Sequence, residues 1–239
     1  MNLAIDIGNT NVKWGCFEGG VLSDEGRWDG GGEVPESLGT ALHKAKHTLV
    51  CASGDMSMLQ LDVPVLDAAM PLPLHIDYRT PATLGADRLA AACGAHALHK
   101  GEACLVIDAG TCITVDYVDA TGTYHGGAIM PGLRMNLQAL HTFTDKLPLI
   151  DIKGVERAPV LGRSTEESIV AGTLGATMLA LAGYVALYRA KEPQIQVLLT
   201  GGDAEQLAAS GTNGWEVVPT LTLIGLNEVM QHNDRHRKA

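Results

Sequence analysis

Two short segments hold the residue types that phosphate chemistry needs. Asp6-Ile7-Gly8-Asn9-Thr10-Asn11-Val12-Lys13 and Asp108-Ala109-Gly110-Thr111 each place a carboxylate at the end of an apolar run and follow it with a glycine and a threonine. Gly8 and Asn9 both tolerate positive φ, so the first turn is expected to fold tightly and to aim successive amides outward. A nest of amides of this kind binds phosphate oxygens. Thr10 and Asn11 add side-chain donors, Lys13 adds charge, and Asp6 is placed to hold a magnesium ion directly or through water. One copy alone serves equally well as a plain hairpin turn. Two copies, each ending a buried strand, favour phosphate. The P-loop and Rossmann fingerprints are both missing from the sequence.

The elements that must position these turns follow from periodicity. Strands are expected over 2–6, 12–17 and 21–28, a helix over 33–46 and a strand over 48–53. A proline-rich connector leads to an alanine-rich helix over 86–99. A second start appears at Ala103, with strands over 103–108, 113–118 and 124–130, so each half begins strand, Asp-Gly-Thr turn, strand. Residues 1–102 and 103–239 are therefore expected to form two lobes. The second half closes with a strand over 195–200, a Gly201-Gly202 turn, a helix from Asp203, a short strand over 215–218 and a helix over 221–232. The polar tail 233–239 is expected to fray.

The 27 acidic and 17 basic side chains leave a formal net charge of -10, which argues against a nucleic-acid partner. The five cysteines form no C-x-x-C pair, consistent with reduced, buried thiols and a cytoplasmic protein. The N-terminal run reads as a strand and not as a signal peptide. Residues 168–188 carry no charge and are long enough to span a bilayer, but they are diluted by Gly172, Gly175 and Gly183 and follow a capping-box pattern at Ser164-Thr165-Glu166-Glu167. A buried helix at a subunit interface is expected there, not a membrane span.

Further segments carry chemistry of their own. Asp77-Tyr78-Arg79-Thr80-Pro81 precedes Leu84-Gly85-Ala86-Asp87-Arg88. Gly126-Gly127-Ala128-Ile129-Met130-Pro131-Gly132, Leu161-Gly162-Arg163-Ser164-Thr165 and Leu199-Thr200-Gly201-Gly202-Asp203 follow. With the two turns, this set resembles the acetate and sugar kinase, chaperone and actin superfamily, and within it the type III pantothenate kinases. The resemblance implies an α/β fold of two ribonuclease-H-like (actin-like) lobes, mixed sheets flanked by helices, clasping ATP. It implies ATP-dependent phosphorylation of pantothenate to 4'-phosphopantothenate, the first step of coenzyme A biosynthesis.

The resemblance also assigns residues. Asp87 is the catalytic base, although Asp87-Arg88 also suits a surface ion pair opening a helix. Asp6, Gly8, Asn9, Thr10, Asn11, Val12, Lys13 and Thr111 contact ATP. Tyr78, Gly85, Ala86, Asp87, Arg88 and Thr165 contact pantothenate, with Thr165 arriving from the partner of a homodimer; a helix cap is the other role open to it. Asp108 ligates a monovalent cation, potassium or ammonium, and Asp6 a magnesium ion that accompanies ATP. Gly201 and Gly202 admit the adenine ring, and His141 is either a pantothenate contact or a satisfied structural histidine. The same fold also hosts regulatory binding proteins and phosphatases.

Overall fold

The computed structural model describes residues 1–54, 56, 59, 62–211 and 214–238. The chain forms two compact units: Met1–Glu102 with Tyr117–Gly126 and Thr220–Ala239, and Ala103–Asp116 with Gly127–Pro219.

The first unit is built on strands β1 (Asn2–Ile7), β2 (Val12–Glu18), β3 (Val21–Trp28) and β4 (His47–Ala52), in the order β3-β2-β1-β4. β1 pairs antiparallel with β2 and parallel with β4, and beyond β4 a single parallel bridge joins Val50 to Val65. Strand periodicity sorts β1 into two faces. Leu3, Ile5 and Ile7 join a core with Trp14, Trp28 and Leu38 of helix α1 (Glu36–Lys44). The even positions Asn2, Ala4 and Asp6 face the other way, where Asn2 Nδ2 donates to Asn227 Oδ1 at 3.1 Å. Asn227 belongs to helix α7 (Leu221–Lys238), which packs against β1 and against helix α2 (Ala86–Leu98). Both faces of β1 are thus covered, which is why Leu3, Ala4 and Ile5 are all fully buried.

The α2–α7 crossing depends on glycine. A Cβ at Gly225 would lie 1.7 Å from the Ala90 carbonyl oxygen, and one at Gly94 would lie 2.4 Å from that of Leu221. The helices approach backbone to backbone at these points. Gly225→Ala is expected to force them apart and cost about 1–3 kcal/mol of stability, read as a lowered urea midpoint. A midpoint within error of the parent would show that the crossing yields without cost.

The second unit repeats the pattern. Its strands are β6 (Cys104–Ala109), β7 (Cys112–Val118), β8 (Thr123–Pro131), β9 (Gln196–Thr200) and β10 (Glu216–Val217), in the order β8-β7-β6-β9-β10. β6 pairs parallel with β9, and β9 with β10. This is the order of the first sheet, with β10 standing where Val65 makes its bridge. The tip of the β7–β8 hairpin belongs to the first unit, where the short strand β5 (His75–Ile76) adds parallel to β8 at Thr123 and Tyr124.

Three local expectations are corrected. Residues 233–238 do not fray; they extend α7 to Lys238, while Ala239 lies outside the described residues. Helix α3 (Leu133–Thr142) was not anticipated: its residues mix polar and apolar positions without a start signal other than Gly132. The uncharged segment is buried along one face only. Helices α4 (Thr165–Val170) and α5 (Ala176–Arg189) join through a π-helical stretch at Ala171–Gly175. Ile169, Leu174, Leu181 and Val185 are buried, whereas Leu179 and Leu187 are 76% and 67% exposed. Among the described residues, Thr165–Arg189 is the one helix long and apolar enough to cross a membrane by length and composition. Helix α6 (Ala204–Ala209) completes the second unit.

Candidate active site

Asp6 occupies the last even position of β1. Its cross-strand neighbours in register are Lys13 on β2 and Cys51 on β4. Period-two alternation therefore aims it at the layer that carries α2. Burial pushes its carboxyl up to about 6, Lys13 opposes this, the Asp87 charge adds to it, and a hydrogen bond from the Cys51 thiol opposes it. The turn beyond is closed by the Gly8 amide, which donates to the Asn11 carbonyl at 3.0 Å. Gly8 does not take the left-handed conformation expected of it. The turn is tight because a Cβ there would press on the Asn11 carbonyl at 3.3 Å, not because φ is reversed. Asn9 and Thr10 at its tip are exposed.

Helix α2 starts at Gly85 after a single 3-10 turn over Pro81–Thr83. Asp87 lies in its first turn, where a carboxylate suits the positive end of the helix, and its Oδ1 accepts from the Arg88 amide at 2.8 Å. A side chain at Gly85 would meet that same Oδ1 at 2.5 Å, so glycine makes room for the Asp87 carboxylate. Arg88 is buried, which no surface ion pair would be, and its guanidinium carbon stands 6.0 Å from the centre of the Tyr78 ring. The Tyr78 ring also meets Tyr124, with centroids 6.1 Å apart. Asp6, Lys13, Tyr78, Gly85, Ala86, Asp87 and Arg88 thus belong to one unit, with Asp6 and Asp87 near enough to interact electrostatically.

In the second unit Asp108 is the last residue but one of β6, opposite Thr200 of β9. Its turn differs from the first: the Gly110 amide reaches the Cys112 carbonyl at 3.0 Å, one residue nearer. Two partners grip it. The Gly132 amide donates to the Thr111 carbonyl at 3.1 Å, and the Asp203 amide donates to the Ala109 carbonyl at 2.9 Å. Gly201, at φ +97°, lies so close that a Cβ would stand 2.3 Å from the Ala109 carbonyl oxygen and 2.5 Å from Asp108 Oδ1. Gly201 thus needs both its reversed φ and its missing side chain. Thr111 is exposed beside these groups.

Asp203 was not singled out by sequence, although a Gly-Gly-Asp step from strand to helix signals it. Burial pushes its carboxyl up. It lines a cavity of about 680 Å³ together with Gly202, Arg134, Leu137, Ile152 and Lys153. Thr165 lines a second cleft, of about 730 Å³, with Leu140, Leu147, Arg163, Ser168 and Gly172. The cap of α4 is Ser164, whose Oγ accepts from the Glu167 amide at 3.2 Å while Glu167 Oε2 accepts from the Arg163 amide at 2.6 Å. That leaves Thr165 outside the cap. His141 Nδ1 bonds the Leu147 carbonyl at 2.9 Å, a local structural role.

Among the described residues no three His, Cys, Asp or Glu side chains gather into a self-contained metal cage. Magnesium commonly takes one or two carboxylates and completes its shell with phosphate oxygens and water, and the Asp6 carboxylate at the end of β1 suits that need. Asp108 and the Ala109 carbonyl offer an oxygen-only donor set suited to a hard monovalent cation.

Two sheets of one strand order, each with a carboxylate ending its first strand and a turn beyond it, define an actin-like α/β protein. The type III pantothenate kinase family model matches residues 43–187. A type III pantothenate kinase of Phocaeicola vulgatus is 37% identical over 98% of this chain and 100% of its own length. One of Bacteroides fragilis is 40% identical over 98% of this chain and 99% of its own. Among solved structures, the activator of the 2-hydroxyisocaproyl-CoA dehydratase from Clostridium difficile with bound ADPNP superposes with a TM-score of 0.59 at 15% identity, covering 100% of this chain and 97% of that one. That likeness shows the fold alone. The chain belongs to the type III pantothenate kinase family.

Proposed function

We propose that this protein transfers the γ-phosphoryl group of ATP to the primary hydroxyl of pantothenate, giving 4'-phosphopantothenate and ADP at the entry to coenzyme A biosynthesis. The observation that carries the reading is Asp87 in the first turn of α2, electrostatically in reach of the half-buried Asp6 and followed by a buried Arg88 stacked towards Tyr78.

Asp87 accepts a hydrogen bond from the primary hydroxyl, orients its oxygen for in-line attack, and takes the proton late. Tyr78, Gly85, Ala86 and Arg88 hold pantothenate, the Arg88 guanidinium offering a rigid fork of donors. The amides and side chains of Gly8, Asn9, Thr10, Asn11, Val12 and Lys13 orient the phosphates, and Thr111 donates to the γ-phosphate. The adenine ring lies against Gly202, beside the cavity that Arg134 and Asp203 line. Magnesium at Asp6 and a monovalent cation, potassium or ammonium, at Asp108 offset phosphate charge when bound.

Thr165 reaches pantothenate from the partner subunit of a homodimer; its place outside the helix cap and the exposed Leu179 and Leu187 on α5, which continues from α4, support this. The cysteines form no disulfide and four of them are buried, which supports a cytoplasmic location.

A coupled assay of ADP release, with and without pantothenate and in potassium or sodium salts, tests the reading. ADP release should require pantothenate and should be faster in potassium. Release indifferent to pantothenate would sink the kinase assignment. Equal rates in the two salts would remove the cation from Asp108.

A further inference from the structure

His125 of β8 makes contacts that phosphoryl transfer does not use. Its ring stacks on Tyr117 of β7, centroids 5.5 Å apart at 22°. Nε2 lies 2.9 Å from Asp119 Oδ2, and Nδ1 lies 3.2 Å from Asp77 Oδ2. A neutral imidazole has one N–H and one lone pair, so it can donate to only one of these carboxylates. The protonated ring donates to both.

The two carboxylates are held differently. Asp119 is fixed in its turn, with Oδ1 accepting from the Thr121 amide and hydroxyl and from the Thr123 amide. The Asp77 side chain is 70% exposed. Its backbone amide donates to the Tyr124 carbonyl at 2.9 Å, and the next residue is Tyr78. The Tyr78 ring fills the space above Gly126, where a Cβ would stand 2.9 Å from it, and faces Arg88. Asp119 thus anchors one end of the bridge, and the strand that delivers Tyr78 hangs from the other.

We infer that His125 is a positioning residue for the substrate: its imidazolium ties Asp77 to Asp119 and so holds Tyr78 in place against Gly126 and Arg88. The inference rests on the reading of Tyr78 and Arg88 as pantothenate contacts. The groups facing the bridge are Asp77 beside β5, Tyr117 and Asp119 from β7 and its turn, and His96 of α2, which lies against Gly122 at the hairpin tip with Lys100 and Glu228 acting on it. The Asp119 bond raises His125, burial partly opposes this, and Asp77 adds to the rise. Burial and Lys100 lower His96. The two histidines therefore titrate apart. The bridge is complete below the raised His125 value and loses an arm as pH climbs through it. The arm lost is the longer one, to Asp77.

The test is steady-state kinetics across pH 6 to 9 on the parent, His125→Gln, Asp77→Asn and Arg88→Lys. In the parent, KM for pantothenate should rise through the His125 titration while kcat and KM for ATP do not follow it. His125→Gln, neutral at every pH, should start with KM for pantothenate raised about two- to five-fold and lose that dependence. Asp77→Asn removes the exposed acceptor and should reproduce both effects, which keeps the test intact if His125→Gln folds poorly. Raised KM in Arg88→Lys beside parental KM and pH dependence in the His125 and Asp77 variants would overturn the bridge and spare the substrate site. Parental KM for pantothenate in Arg88→Lys would overturn the substrate site and the bridge with it.

Discussion

Asp87→Asn is expected to lower turnover by about 10²- to 10⁴-fold while leaving KM for ATP nearly unchanged. Asparagine keeps the shape of the side chain, and its Oδ1 can still accept from the Arg88 amide, so the start of α2 should survive. What it loses is the basicity to receive the hydroxyl proton and the charge that orients the hydroxyl. It also loses a negative charge felt by Asp6, so the Asp6 carboxyl should move down towards the ordinary range and any acidic limb of the pH profile that reports it should move with it. The measurement is kcat and both KM values from ADP release, with a urea midpoint as a folding control. Near-parental turnover would remove Asp87 from the role of base. A rise in KM for ATP together with a lowered urea midpoint would show a structural residue instead.

The two turns illustrate what the sequence could and could not reveal. Their role was legible because the composition occurs twice: one carboxylate, glycine and threonine after a buried run serve equally well as a plain hairpin turn, and the second copy favours phosphate. The repeat was legible as well, and the shared strand order bears it out down to the Val50–Val65 bridge that stands in for β10. The inequality of the turns was not. Asp108 is gripped from Gly132 and from Gly201 to Asp203, residues that follow it by more than 20 and more than 90 positions, and no local pattern reports such contacts. The glycine at position 8 looked like a reversed-φ residue and is instead a close-approach residue, a distinction that needs coordinates.

Side-chain burial was the other blind spot. Asp87-Arg88 at a helix start reads in sequence as a solvated pair, and only the tertiary packing of Arg88 towards Tyr78 rules that out. His125 carried no sequence signal at all, since its two carboxylates come from a neighbouring turn and from a segment 48 residues earlier. By contrast, the helix cap at Ser164 to Glu167 was written locally and formed as written, because capping is decided within one turn of chain.

Asp6→Asn should move stability and activity in opposite directions. In the folded protein Asp6 keeps its proton to about pH 6, whereas in the unfolded chain it releases it near the ordinary carboxylate value. Between those two values the native state binds more protons, so stability falls as pH rises from about 4 to 6 and stays lowered above that. The cost is on the order of 2–3 kcal/mol at neutral pH, because a half-buried, desolvated carboxylate must ionise beside Asp87 with Lys13 and the Cys51 thiol in compensation. Asparagine cannot ionise and does not bear that cost. The variant should therefore unfold at higher urea than the parent at pH 8, and the gap should narrow as pH falls through 6 towards 4. Its kcat/KM for ATP should nevertheless fall by about 10²-fold, since the carboxylate that is costly in the empty protein is the one a cation and phosphate would use. A residue kept for folding gives the reverse pattern. If Asp6→Asn is less stable than the parent at pH 8, the carboxylate is an ion-pair partner of Lys13, and its place in the phosphate site is lost.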